Sequence, residues 1–181
     1  MTQRRATVVI LCEDRQQEVF ARHFLQKRGF FGPFRVEVCP KGEQSGEQYV
    51  RERYPNEVKA YRSKRNHLSI YLVVLIDADN KTVDERLQQL DSALEDDSQP
   101  RRQEDENIAV FVPKRNIETW IHYLKGETVD EETAYPKLPK ESDCKPSVEN
   151  LLTQCPHGLD EDAPPSLHTA CGELQRILPP K

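Results

Sequence analysis

The sequence has no apolar run approaching the roughly 18 residues that a membrane-crossing helix needs, so no spanning segment is expected. It also lacks net positive charge: charged residues make up 31% of the 181 positions, yet the formal net charge is -5. That balance argues against binding nucleic acid or an anionic membrane through bulk electrostatics, because phosphate is repelled at long range. A phosphate ligand would have to be met by a local basic patch or a metal ion. The five cysteines are odd in number and include no CxxC pair, which fits free thiols in a reducing compartment better than a disulfide scaffold. Residues Met1 to Arg5 lead straight into a strand pattern rather than the apolar region of a signal peptide, so a cytoplasmic location is expected. No internal repeat, no low-complexity tract and no GK[ST] ending of a P-loop is present. A hydrophobic content of 36% is low but adequate for one packed domain with a modest appendage.

What the sequence does contain is organised around Ser69 to Asn80. Tyr71 to Ile76 are consecutive apolar residues rich in β-branched types, the pattern of a strand covered on both faces in a parallel sheet. Open α/β sheets place ligands beyond the carboxyl ends of their strands, where Asp77 and Asp79 lie. On an extended chain residues two apart point the same way, so Asp77 and Asp79 are expected to face one hard cation, Mg²⁺ or Mn²⁺. The plainer alternative is that both aspartates end the strand and, with Asn80, cap the next helix.

Thr7 to Cys12 is a second apolar strand, and Glu13-Asp14 delivers carboxylates to the same kind of position. Arg15 to Arg28, with Val19, Phe20, His23 and Phe24 on one face, reads as a helix stopped by Gly29. Phe34 to Cys39 alternates as a strand near the sheet edge and stops at Pro40. Lys41 to Gly46 reads first as a flexible loop, with a phosphate contact through Lys41 and Ser45 as the alternative. Ser45 and Gln48 suggest a capping box for a helix starting near Gly46, and Pro55 predicts a kink or a split into two helices. Arg62, Lys64 and Arg65 form the densest basic cluster, either a solvated helix end or a remote contact for a bound strand. Thr82 with Glu85, then Val83, Leu87, Leu90 and Leu94, predict a capped amphipathic helix, and Ile108 to Val112 the fourth strand. Residues 1 to 125 therefore read as a Rossmann-like α/β domain with a four-stranded, mostly parallel sheet flanked by helices.

After the fourth strand, Asn116 is placed to cap a short helix whose Ile117, Trp120, Ile121 and Leu124 face the core. Lys114, Arg115 and Glu118 then fall near the carboxyl edge, although Glu118 equally suits a first-turn glutamate answering the helix dipole. From residue 126 to 181 prolines and acid runs leave only two short helices, near Ser147 to Cys155 and Ser166 to Leu178, read as a small helical extension packed on the sheet domain. Cys144, Cys155, His157, His168 and Cys171 lack a standard zinc spacing, so structural zinc is not expected and the thiols are expected to be buried in the helices.

Glu13 after the first strand, Asp77 and Asp79 after the third, and the alternating elements between them resemble the topoisomerase-primase (Toprim) domain over about Thr7 to Val112. The resemblance implies that Glu13 is a metal ligand or general acid/base and that Asp77 and Asp79 bind Mg²⁺ for phosphodiester cleavage or nucleotidyl transfer. The chain departs from the family in having Asp14 where many members have glycine. It also lacks a primase zinc module and a topoisomerase strand-passage domain with its tyrosine. What remains resembles the small bacterial Toprim nucleases of the overcoming-lysogenization-defect class and other phage-defence proteins, which often work with an ATPase partner. Lys114 or Arg115 would hold the scissile phosphate and Glu118 would support the acids. Two other readings stay open: a phospho-receiver domain with Asp77 as acceptor, and a catalytically silent regulatory subunit using the same pocket.

Overall fold

The computed structural model of the chain describes residues 3–155 and 158–178. Strands β1 (Arg4–Arg5), β2 (Thr7–Cys12), β3 (Phe30–Phe31), β4 (Phe34–Val38), β5 (Ile70–Leu75) and β6 (Ile108–Phe111) alternate with helices α1 (Arg15–Lys27), α2 (Gly46–Lys64), α3 (Val83–Asp96) and α4 (Ile117–Leu124). A short 3-10 helix at Glu141–Cys144, α5 (Lys145–Leu152) and α6 (Pro165–Leu174) follow. The main sheet has four strands in the order β4-β2-β5-β6, all parallel. β2 and β5 are the central pair and the apolar runs of the sequence, as expected of strands buried on both faces.

Alternation along the central strands divides the core. Val8, Ile10 and Cys12 with Val73 and Leu75 face α1, α4, α5 and α6, packing on Phe20, Trp120, Leu151 and Leu167. Val9, Leu11, Leu72 and Val74 face α2 and α3, packing on Tyr54, Val58, Leu90 and Leu94. The segment after Gly126 thus supplies cover for one face of the sheet. It also closes the β6 edge, where Glu173 accepts the Val110 N–H at 2.9 Å and pairs with Arg102.

Several elements differ from expectation. Of the two outcomes expected at Pro55, the split into two helices does not occur: α2 is one helix, because Val50, Tyr54, Val58 and Tyr61 are all buried along one side and their packing outweighs the proline penalty of about 3 kcal/mol. The two-residue β1–β3 pairing has no periodicity to reveal it. Arg62 and Arg65 are engaged within the chain. Both hold the buried Glu106, Arg62 through two nitrogens at 2.7 and 2.9 Å, just before β6 and so at the amino edge of the sheet. Lys64 beside them is exposed.

The thiols of Cys155 and Cys171 are not free. α5 and α6 lie on the same sheet face and join through a Cys155–Cys171 disulfide with Cα atoms 5.3 Å apart. His157 of the weighed zinc set lies outside the described residues. Without reductant, the denatured protein should therefore alkylate at three cysteines, Cys12, Cys39 and Cys144, and at five after reduction. Reduction should cost about 3 kcal/mol for a loop of 16 residues, read by urea unfolding. Five modified cysteines before reduction would contradict the bond.

Candidate acid site at the carboxyl edge

Register brings the acids together. Leu11 pairs with Val74 and Leu75 with Phe111, so β2, β5 and β6 end nearly level. Beyond β5 the chain stays beside its neighbour for three more residues, since Ile76 N–H donates to Phe111 O at 3.1 Å and Ala78 N–H to Pro113 O at 2.9 Å. Asp77 is thereby fixed at the sheet edge and buried. The Glu13 carboxylate, from the end of β2, accepts the Asp77 main-chain N–H.

Asp79 does not follow from strand alternation as expected. β5 ends at Leu75 and Asp79 takes a left-handed conformation, with φ of 53°, so the chain turns between the two aspartates. Its carboxylate is half exposed and stands 3.6 Å from the Arg86 guanidinium. Asp79 still acts electrostatically on both Glu13 and Asp77.

Four residues that sequence reasoning passed over hold this arrangement. Gln17 is fully buried and bridges the two strand ends: its Oε1 accepts the Glu13 N–H at 2.8 Å and its Nε2 donates to Asp77 Oδ1 at 3.0 Å. Gly46, the first residue of α2, lies so close to Glu13 that a Cβ there would meet the Glu13 Cβ at 2.6 Å. Glu47 pairs with Arg51 at 2.6 Å and with Arg86 at 3.1 Å. Arg86 is buried, and signals for it and Gln17 were present in the helical spacing. Arg86 shares the stripe of Leu90 and Leu94, as Gln17 shares that of Phe20 and Phe24.

The remaining candidates divide. Glu118, in the first turn of α4, is buried and acts on Asp77, so it belongs to the cluster. Asn116 is the cap residue of α4 by position, but its side chain makes no capping bond. Arg115 has φ of 72° and donates to Asn80 Oδ1 at 2.8 Å, within electrostatic range of Asp79. Lys114 is half-buried and lies within electrostatic range of Glu85 at the start of α3. Lys41 is exposed on the β4–α2 loop, which borders Glu13 through Cys39. Ser45 Oγ accepts the Gln48 N–H at 3.4 Å, but the Gln48 side chain donates to Glu52, so the expected capping box is only half formed.

Clustered acids raise one another. Burial first, then Asp79 and Asp14, push the Glu13 carboxyl up to about 8, against the Asp77 N–H bond and Arg86. Burial holds Asp77 well above the usual carboxylate range, with Glu13, Asp14, Glu118 and Asp79 adding. Glu118 is raised by burial and Asp14, and Asp79 by burial and Glu47. Hard carboxylate oxygens that repel one another suit a divalent cation in charge and donor type. Among the described residues, however, no three His, Cys, Asp or Glu side chains converge as a ligand set. Comparison with known proteins finds no matching family model, curated relative or solved structure.

The raised Glu13 value fixes a pH dependence. Between the ordinary carboxyl value of 4.5 and about 8 the folded chain holds a proton that the unfolded chain releases, so stability falls as pH rises through that window. In EDTA the melting temperature should be higher at the acidic end than at the alkaline end, and Glu13→Gln should flatten the profile. An identical slope in Glu13→Gln would contradict the shift. Gly46→Ala should cost about 1–3 kcal/mol by overpacking against Glu13, measured by urea unfolding. Gly172→Ala, where a Cβ meets nothing within 4 Å in α6, should be neutral or stabilising.

Proposed function

We propose that the chain is a divalent-metal-dependent nuclease, hydrolysing phosphodiesters of DNA or RNA, on a Toprim-type version of its α/β fold. One observation carries this reading: Glu13 and the buried Asp77, from adjacent central strands, touch inside a partly buried cluster of acids that raise one another. Such a cluster is costly without a role, because each buried carboxylate loses hydration and gains a like-charged neighbour. Carboxyl-edge placement in a parallel sheet is where ligands of such folds bind.

Glu13, Asp77 and Asp79 would hold the cation, which when bound supplies charge neutralisation at the phosphate and a more acidic water. The chain's own groups do the rest. Glu13, whose carboxyl burial and the neighbouring acids push up to about 8 in the metal-free chain, would give up that proton on taking up the cation, so metal binding strengthens as pH rises. Arg115, beside Asn80 and Asp79, presents a guanidinium to the phosphate oxygens from the rim. Lys114 and Lys41, on the loops after β6 and β4, would position neighbouring phosphates of the substrate. Glu118 adds negative charge behind Asp77. The resemblance adds a neighbouring ATPase partner and a role in bacterial phage defence to this reading.

The purified protein, alone and with a neighbouring ATPase, should cut at least one substrate from a panel of labelled single- and double-stranded DNAs and RNAs in Mg²⁺ or Mn²⁺. Asp77→Asn and Asp79→Asn should abolish cutting with the fold intact. Arg115→Ala should lower the rate by about 10²-fold, as for loss of one electrostatic donor. No cleavage of any substrate, or cleavage unchanged in Asp77→Asn, contradicts the nuclease reading. Acid-labile phosphate taken up on Asp77 from acetyl phosphate would favour a receiver domain instead.

A further inference from the structure

Arg86 is 2% exposed, yet every part of its guanidinium is engaged. Nε donates to the Asp77 carbonyl at 3.1 Å and Nη2 to the Ala78 carbonyl at 3.4 Å. Nη1 donates to Glu47 Oε2 at 3.1 Å and to Gln89 Oε1 at 2.7 Å. Asp79 Oδ2 lies 3.6 Å from Nη2. The planar fork thus grips two successive carbonyls of the turn that carries both aspartates. It ties that turn to the first helical turn of α2, where Gly46 abuts Glu13.

We propose that Arg86 is a positioning residue of the acid site, whose fork fixes the backbone of the Asp77–Asp79 turn, from which the two aspartates would close with Glu13 on one divalent cation. The cation step rests on the nuclease reading; the clamp on the turn does not. Two features of the turn require such a clamp. Asp79 is a non-glycine residue in the left-handed region, a conformation that persists only where surrounding contacts impose it. Asp77 and Asp79 also repel each other and Glu13, so the loop would open without an internal cation on its carbonyl side. A lysine at this position keeps the charge but offers three donors from a single point, and cannot span both carbonyls and Glu47 together.

Arg86→Lys separates fork from charge. Amide hydrogen exchange over residues 76–81 should become severalfold faster in this variant, while β5 and the later turns of α3 exchange as in the wild type. The Mn²⁺ dissociation constant, measured well below the melting temperature, should weaken by about 10- to 100-fold, the usual loss when a residue that orients metal ligands is changed. A side chain that only added stability would speed exchange throughout and leave Mn²⁺ affinity alone; that result, or wild-type exchange at 76–81, overturns the proposal. If Arg86→Lys fails to fold, Glu47→Gln removes one partner of the same guanidinium and should move both quantities in the same direction. No change in either overturns it equally. A wild-type protein that binds no Mn²⁺ counts against the metal reading, while the exchange measurement still decides the role of Arg86.

Discussion

The bond from the Asp77 main-chain N–H to the Glu13 carboxylate joins the ends of the two central strands, and the site is arranged around it. It brings two acids together at a sheet edge, where each is desolvated by the helices on either face. The neighbouring residues follow from that constraint. Gly46 has to be bare because the Glu13 side chain occupies the space a Cβ would take. Gln17 uses both ends of its amide to keep the two strand ends in register. Arg86 places a cation among the acids that no exchange with solvent removes. Burial of this kind disfavours charge, and it holds the Glu13 and Asp77 carboxyls above their usual range.

Charge elsewhere serves both as brace and as surface. Arg62 and Arg102 each hold a well-buried glutamate, Glu106 and Glu173, while Arg35 reaches the buried Glu57 from the surface. Their planar forks make them suited to such partly buried pairs. Among the described residues Lys41, Lys81 and Lys114 form no ion pair, and all three sit on loops that leave the carboxyl ends of strands. A chain of net charge -5 can in this way offer local positive charge around an acidic centre without a basic surface overall. The basic cluster most evident in the sequence, Arg62 to Arg65, turns out to be mostly a brace at the opposite edge.

The parallel sheet was legible because Thr7 to Cys12 and Tyr71 to Ile76 are apolar throughout, and only a strand covered on both faces needs that. Asp77 and Glu13 were legible as strand-end acids for the same reason. Asp79 was found for an incomplete reason, since its place depends on a left-handed turn that alternation does not describe. Gln17 and Arg86 sit on helix stripes beside leucine and phenylalanine, where polar residues look like interruptions of a pattern rather than its purpose. The disulfide and the continuous α2 were not legible, because both depend on how α5, α6 and the sheet pack together.

Crystals grown with Mn²⁺ and measured for anomalous scattering test the central claim most directly. The expected result is a single strong peak bounded by Glu13 and Asp77, with Asp79 turned toward it. A map with no peak at the carboxyl edge, or with manganese only at the surface acids Asp160 to Asp162, would contradict a cation site there.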